Sequence, residues 1–344
     1  MADFNSLPDV IKPFVDKIKA TKKSLVEMTL TPVEEYVWWE SRVGGMPYLP
    51  LGGKYPTNSE GTPLKLLAQI NFAQMPKLEN YPEKGLLQFF IGGDDLYGAD
   101  FEDKQKQEDF RVIYWENIIE DISQLTQDFS SVIAAHTDDY YTPIDHQYSI
   151  EYTPAEQYIS IDDFQFGQKI LGVDNLYDYE EQFEGEDFYD EWVEPYSDSF
   201  ESGAHCIGGY PFFTQSDPRE YEENIQQYEL LLQINTDYEI GIMWGDMGVG
   251  NFFIHPDDLK KRDFSRVVYN WDCGWSPKSL ISYRLLSCWQ RFSNQVVYSW
   301  DGFICRQATT GSLWYIIAKK SRIGLLNEKT DHRVNWGKWC YLWH

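Results

Sequence analysis

The stretch Leu66-Leu67-Ala68-Gln69-Ile70-Asn71 occurs again in slightly altered form as Leu230-Leu231-Leu232-Gln233-Ile234-Asn235. Each copy brings its neighbours with it. Upstream, Gly44-Gly45-Met46-Pro47-Tyr48 is echoed by Gly208-Gly209-Tyr210-Pro211-Phe212, and glycine to glutamine spans 25 positions both times. Downstream, Phe89-Phe90-Ile91 with Asp94-Asp95 is echoed by Phe252-Phe253-Ile254 with Asp257-Asp258, and Arg111-Val112-Ile113-Tyr114 by Arg266-Val267-Val268-Tyr269. Four matches in one order imply an internal duplication. The expected fold is α+β: two pseudo-symmetric β-rich halves, about 24–115 and 205–272, with peripheral helices and an acidic connector.

Within each copy the apolar run is short and nearly continuous, which suits a buried strand. Strict alternation puts Leu66, Ala68, Ile70 and Phe72 on one face, and Leu67, Gln69 and Asn71 on the other. By the same parity Leu231, Gln233 and Asn235 share a face. Further strands are expected at 24–31, 85–91, 110–115, 228–235, 239–243, 250–254 and 265–271. Residues 7–22 carry Val10, Ile11, Phe14 and Ile18 at helical spacing, which predicts an N-terminal amphipathic helix. A helix is expected over 116–129 and a short one over 256–261. Residues 149–161 are mixed and tyrosine-rich. The acidic stretch 174–198 reads as a solvated helix face or loop joining the halves, and its spacing does not match an EF-hand loop.

Composition limits the chemistry. The formal net charge of −26 over 344 residues argues against a basic nucleic-acid surface and favours basic, cationic or neutral partners. No apolar run is long enough to span a bilayer, and residues 1–50 lack the core of a signal peptide. Five cysteines without metal-ligand spacing fit a reducing compartment, so a cytoplasmic location is expected. Residues 275–344 depart from this pattern: ten Lys and Arg against three acids give them +7 and leave −33 to the remainder. They also hold seven of the 13 tryptophans. This tail reads either as an appended module or as an extension not selected for folding, beside a body of 1–274.

The motifs resemble those of the YwqG-like family: Gly44-Gly45-Met46-Pro47-Tyr48-Leu49-Pro50, Leu67-Ala68-Gln69-Ile70-Asn71, Gly209-Tyr210-Pro211-Phe212-Phe213-Thr214-Gln215 with Asp217-Pro218-Arg219, and Asn270-Trp271-Asp272-Cys273. The resemblance covers roughly 1–273. It implies a bacterial cytosolic α+β protein of unknown function, without an assigned catalytic residue or cofactor, ending near Cys273.

Candidate site residues follow from chemistry alone. Gln69, Asn71, Gln233 and Asn235 are amides on apolar strands, and burial is costly unless they are hydrogen-bonded. Either they fasten nearby loop backbones, or two polar faces meet and line a cleft between the halves. Asp94-Asp95 and Asp257-Asp258 read as turn or helix caps, with metal-binding or acid–base carboxylates as the alternative. Arg111 and Arg266 are expected to pair with these acids. Trp244 and Asp246 mark either a ligand-facing loop or a hairpin with a core-packed indole. No catalytic residue, metal site or cofactor emerges. The expected function is a non-catalytic binding or interaction module, immunity- or adaptor-like, taking a basic protein or a small neutral or cationic ligand. The alternatives are a divalent-cation-dependent hydrolase built on clustered Asp and Glu, and a small-ligand binder at the repeat interface.

Overall fold

The computed structural model describes residues 3–136, 140–174, 176–185, 187–200 and 202–274, together with three strands of the tail. Ten strands follow in chain order: β1 (Lys23–Pro32), β2 (Arg42–Val43), β3 (Lys65–Asn71), β4 (Leu86–Ile91), β5 (Arg111–Trp115), β6 (Tyr148–Gln157), β7 (Cys206–Gly208), β8 (Glu229–Asn235), β9 (Val249–Ile254) and β10 (Val268–Asp272). They form one antiparallel sheet in the order β10-β9-β8-β7-β1-β6-β2-β3-β4-β5, curled into a half-barrel.

This corrects the expected α+β fold of two β-rich halves. The echoing strands β3 and β8 lie in a single hydrogen-bonded surface. At its centre β1 and β6 pair along ten positions, from Lys23 opposite Gln157 to Pro32 opposite Tyr148. β7 continues the sheet on one side of that pair and β2 on the other. Residues 149–161 therefore hold the joining strand β6, where Glu151 and Thr153 face out while Ile150 and Tyr152 pack inward.

Helix accounts for only about 20%. The N-terminal amphipathic helix is corrected to a 3-10 turn, Lys12–Phe14, and one short helix, α1 (Val15–Ala20). Pro8 and Pro13 have no N–H to continue a longer ladder. The helix expected over 116–129 is a 3-10 turn at Ile122–Gln124, capped by the Asp121 carboxylate, and the helix itself, α2, falls later at Ser130–Ala135. The strand expected at 239–243 is a turn closed by reciprocal backbone bonds between Asp237 and Ile242. Beyond it, α5 (Pro256–Lys261) stands where a short helix was expected.

The parity of β3 and β8 is also corrected. In each strand the register slips by one residue, between Leu66 and Ala68 and between Leu230 and Leu232. The bulge turns Leu67 and Leu231 into the main core beside Ala68 and Leu232, and leaves Leu66 with Phe90 and Leu230 with Phe253 on the outer face.

Inside the curl, aromatic rings join the two ends of the sheet. Phe89 meets Phe252 with centroids 4.9 Å apart, and Phe252 stacks on Tyr269 at 4.6 Å. The outermost strands are bridged by the loop before β5. Lys104 C=O accepts from the Tyr269 N–H, and Gln107 accepts from Val112 N–H while donating to Phe264 C=O. Two edges that would otherwise present bare backbone groups are thus covered.

The acidic stretch is not merely solvated. Phe188, Trp192, Tyr196 and Phe200 recur every four residues through the π-helix Tyr189–Val193 and the helix Glu194–Ser199, two of the connector's short helices, α3 (Leu176–Glu180) and α4 (Glu194–Ser199), flanking that π-turn. Their rings pack on Leu7, Ile11 and Ile18 of the N-terminal segment to form a second core. The carboxylates of Asp190, Glu194 and Asp198 alternate with these rings along the chain and stay exposed, which is the amphipathic solution for so dense a charge.

In the tail, separately, Val297–Trp300, Phe303–Gln307 and Trp314–Ala318 form an antiparallel three-stranded sheet. Most of 275–344, and with it the choice between module and extension, lies outside the described residues.

Phe252 touches both ends of the curl, so Phe252→Ala should lower the unfolding free energy by about 3–5 kcal/mol in urea titration. A loss below about 1 kcal/mol would show that the rings do not hold the half-barrel together.

Candidate functional site

The four amides are placed first. Gln69 Oε1 accepts from the Tyr48 N–H at 2.9 Å and from Gln88 Nε2 at 2.8 Å, while its Nε2 donates to Trp38 and Glu40 carbonyls. Gln233 repeats the arrangement: Oε1 accepts from Phe212 N–H at 2.8 Å, and Nε2 donates to Ser202 and Ala204 carbonyls. Asn71 and Asn235 donate to Trp39 and Gly203 carbonyls. All four are therefore occupied with loop backbone on the outer face of the sheet. The structure does not bring them together, because the interior between β3 and β8 is filled by Ile70, Phe89, Leu232 and Phe252. The cleft expected between polar faces is closed by this packing.

The charged candidates are dispersed. Asp94 accepts from the Leu96 and Gly98 N–H groups and shapes a turn, and Asp95 is exposed beside it. Arg266 pairs with Asp258 at 2.6 Å, whereas Arg111 reaches the Thr57 carbonyl instead of an acid. Trp244 is fully buried, and a Cβ on Gly250 would run into its ring, which accounts for that glycine. Asp246 is exposed on the following turn. Among the described residues no group of three His, Cys, Asp or Glu could hold a metal ion. His205 uses Nδ1 to accept the Asn235 N–H; burial pushes its pKa down to about 4 and the Cys206 thiol up to about 12, which favours the neutral imidazole and the protonated thiol at neutral pH.

The concavity lies elsewhere. A groove of about 580 Å³ opens where the end of β1, the Gly45-Met46 turn, the start of β3, and His136 with residues 145–147 meet. Its lining is mixed, with Val33, Met46, Tyr55 and Leu66 among polar and charged groups. Gly44, at φ +72°, lets this turn pass tightly against the chain, since a Cβ there would strike the His146 carbonyl. Lys65 stands in the groove half-buried. Its ammonium donates to the Ile144 carbonyl at 3.0 Å and makes no ion pair among the described residues. Burial holds its pKa below the ordinary lysine value, with Asp145 pulling partly the other way. His136 is adjacent. Its Nε2 lies 3.1 Å from the Pro63 carbonyl and so carries the proton, and burial lowers its pKa, which leaves Nδ1 an acceptor at neutral pH. Asp145, His146 and Glu34 are exposed at the rim. Behind the wall Arg42 is buried without an ion pair among the described residues, its guanidinium held by the Val37, Trp38, Glu40 and Met46 carbonyls.

None of Lys65, His136 and Asp145 was among the sequence candidates. A lysine at the head of an otherwise apolar strand was the available signal. The histidine and aspartate come from a segment without a motif.

A family model described as a domain of unknown function (DUF1963) matches residues 41–273. The chain belongs to the DUF1963 family. The match takes in β2 to β10 and most of the groove lining, whereas Pro32, Val33 and Glu34 precede it. No curated protein matches the chain significantly. No helix among the described residues is long and apolar enough to cross a membrane.

A second polar cluster in the DUF1963 segment is structural. Arg219 lies between Asp217 and Asp163 at 2.6 and 2.9 Å and under the rings of Phe164 and Phe253. Nearby, Asp272 accepts from Thr214 and Gln215, and burial pushes it up to about 6. Asp162, crowded by Asp272, Asp217 and Asp163, is pushed up to about 7, mainly by burial. These two carboxyls keep protons in the folded state that the unfolded chain releases near 3.8. Between those values the folded state binds more protons, so their contribution to stability is lost as pH rises. Asp162→Asn should therefore match wild type near pH 3, below both values, and exceed its Tm increasingly from pH 5 to pH 8. A pH-independent difference would contradict this.

Proposed function

We propose that the protein is a non-catalytic binding module whose ligand occupies the groove at Lys65. One observation carries the reading: a half-buried ammonium stands without an ion pair among the described residues in a concave site of mixed polar and apolar lining. Burying an unpaired charge opposes folding, and its retention is readily understood if a ligand supplies the missing partner. The groove's size falls within the usual range for small-molecule pockets, about 300–1,000 Å³. The narrower YwqG-like assignment, with the bacterial cytoplasmic setting it implies, draws support from the ordered glycine, glutamine and aspartate motifs. The net charge of −26 supports a basic protein as a further partner of the exposed surface.

The reading has a stability signature. The Ile144 carbonyl also accepts from the Thr142 hydroxyl, so losing Lys65 leaves no orphaned acceptor. Lys65→Met should leave Tm unchanged or raise it, while abolishing a class of hits in ligand-observed NMR screening of the full chain against small fragments. A drop in Tm equivalent to more than about 1 kcal/mol would make Lys65 a structural residue. Identical hits for wild type and variant would remove it from the site.

A further inference from the structure

We propose that the groove binds a small zwitterion of the α-amino-acid type carrying an apolar side chain; this rests on the reading of the groove as a ligand site. Three features of the lining match that chemistry together. Lys65 spends one N–H on the Ile144 carbonyl, which orients the ammonium and leaves two donors for a carboxylate. Asp145 lies close enough to influence Lys65 yet makes no ion pair with it, so both signs of charge stand apart in one groove. His136, held neutral by burial, lines the same groove. A ligand bearing an adjacent carboxylate and ammonium fits between these groups, the carboxylate on Lys65 and the ammonium toward Asp145 and His136.

A simple anion would satisfy Lys65 and leave the acceptors facing like charge. A simple cation would meet the Lys65 ammonium. The dipolar ligand is favoured because it answers both, and charged hydrogen bonds in a partly desolvated groove discriminate strongly. Beyond the charged end, Val33, Met46 and Tyr55 offer apolar surface for a side chain of leucine or phenylalanine size.

The test is isothermal titration of the full chain with L-leucine and L-phenylalanine, beside leucinamide, which lacks the carboxylate, and 4-methylpentanoate, which lacks the ammonium. The expected result is binding of at least one amino acid, with the corresponding amide or acid weaker by roughly tenfold or more. Lys65→Met should erase the preference over leucinamide, and Asp145→Asn the preference over 4-methylpentanoate. Equal affinity for 4-methylpentanoate and leucine would make the groove a plain anion site and overturn the proposal. Failure of all four compounds, while other fragments still respond to Lys65→Met, would overturn the zwitterion and leave the groove as a binding site. If nothing responds to Lys65→Met, both fall.

Discussion

A buried carboxamide on a strand must find partners for one acceptor and two donor positions, and Gln69 and Gln233 find them in the same way. Each takes a backbone N–H from the turn that follows a double glycine, and gives both of its own N–H groups to carbonyls of the segment before it. Loops crossing the outer face of a sheet carry polar backbone that water cannot reach once they are packed. The two glutamines supply that hydration from within. Without them the double-glycine turns would have no fixed seat on β3 and β8, and the segments leading to β2 and β7 would lose their anchors.

That anchoring positions the groove. Met46 lies two residues before Tyr48, whose N–H is held by Gln69, and its carbonyl is held in turn by Arg42. The turn at Gly45 and Met46 is therefore a rigid wall. The opposite wall comes from His136 and residues 144–147, drawn in by the Lys65 and His136 contacts to main-chain carbonyls. Lys65 opens β3 just before its bulge, where the strand leaves the shelter of the sheet. A lysine one turn deeper would be buried outright, and one outside the strand would be solvated.

Much of the sheet was legible in the repeated motifs, because continuous apolar runs with flanking glycines have few alternatives to buried strands. Side-chain parity was not legible past the bulges: one extra residue at Leu67 or Leu231 reverses the face, and nothing in the composition marks it. β6 escaped because its alternation is diluted by Pro154 and Thr153, and because its partner β1 is more than a hundred residues away. In the acidic connector the charge count hid the four-residue aromatic spacing from Phe188 to Phe200. The structural use of Gln69 and Gln233 followed from the cost of burying an amide. The Lys65 groove did not, since it is assembled from separate segments that share no pattern.

The central claim is that the glutamine carboxamides serve the backbone, which leaves ligand recognition to the groove. Amide hydrogen exchange at Tyr48 and Phe212 tests it most directly, in wild type and in Gln69→Leu. The account predicts slow exchange at both positions in wild type. It further predicts that Gln69→Leu accelerates Tyr48 by at least tenfold while Phe212 keeps its protection. Rapid wild-type exchange at Tyr48 and Phe212, or a Tyr48 rate indifferent to the substitution, would contradict it.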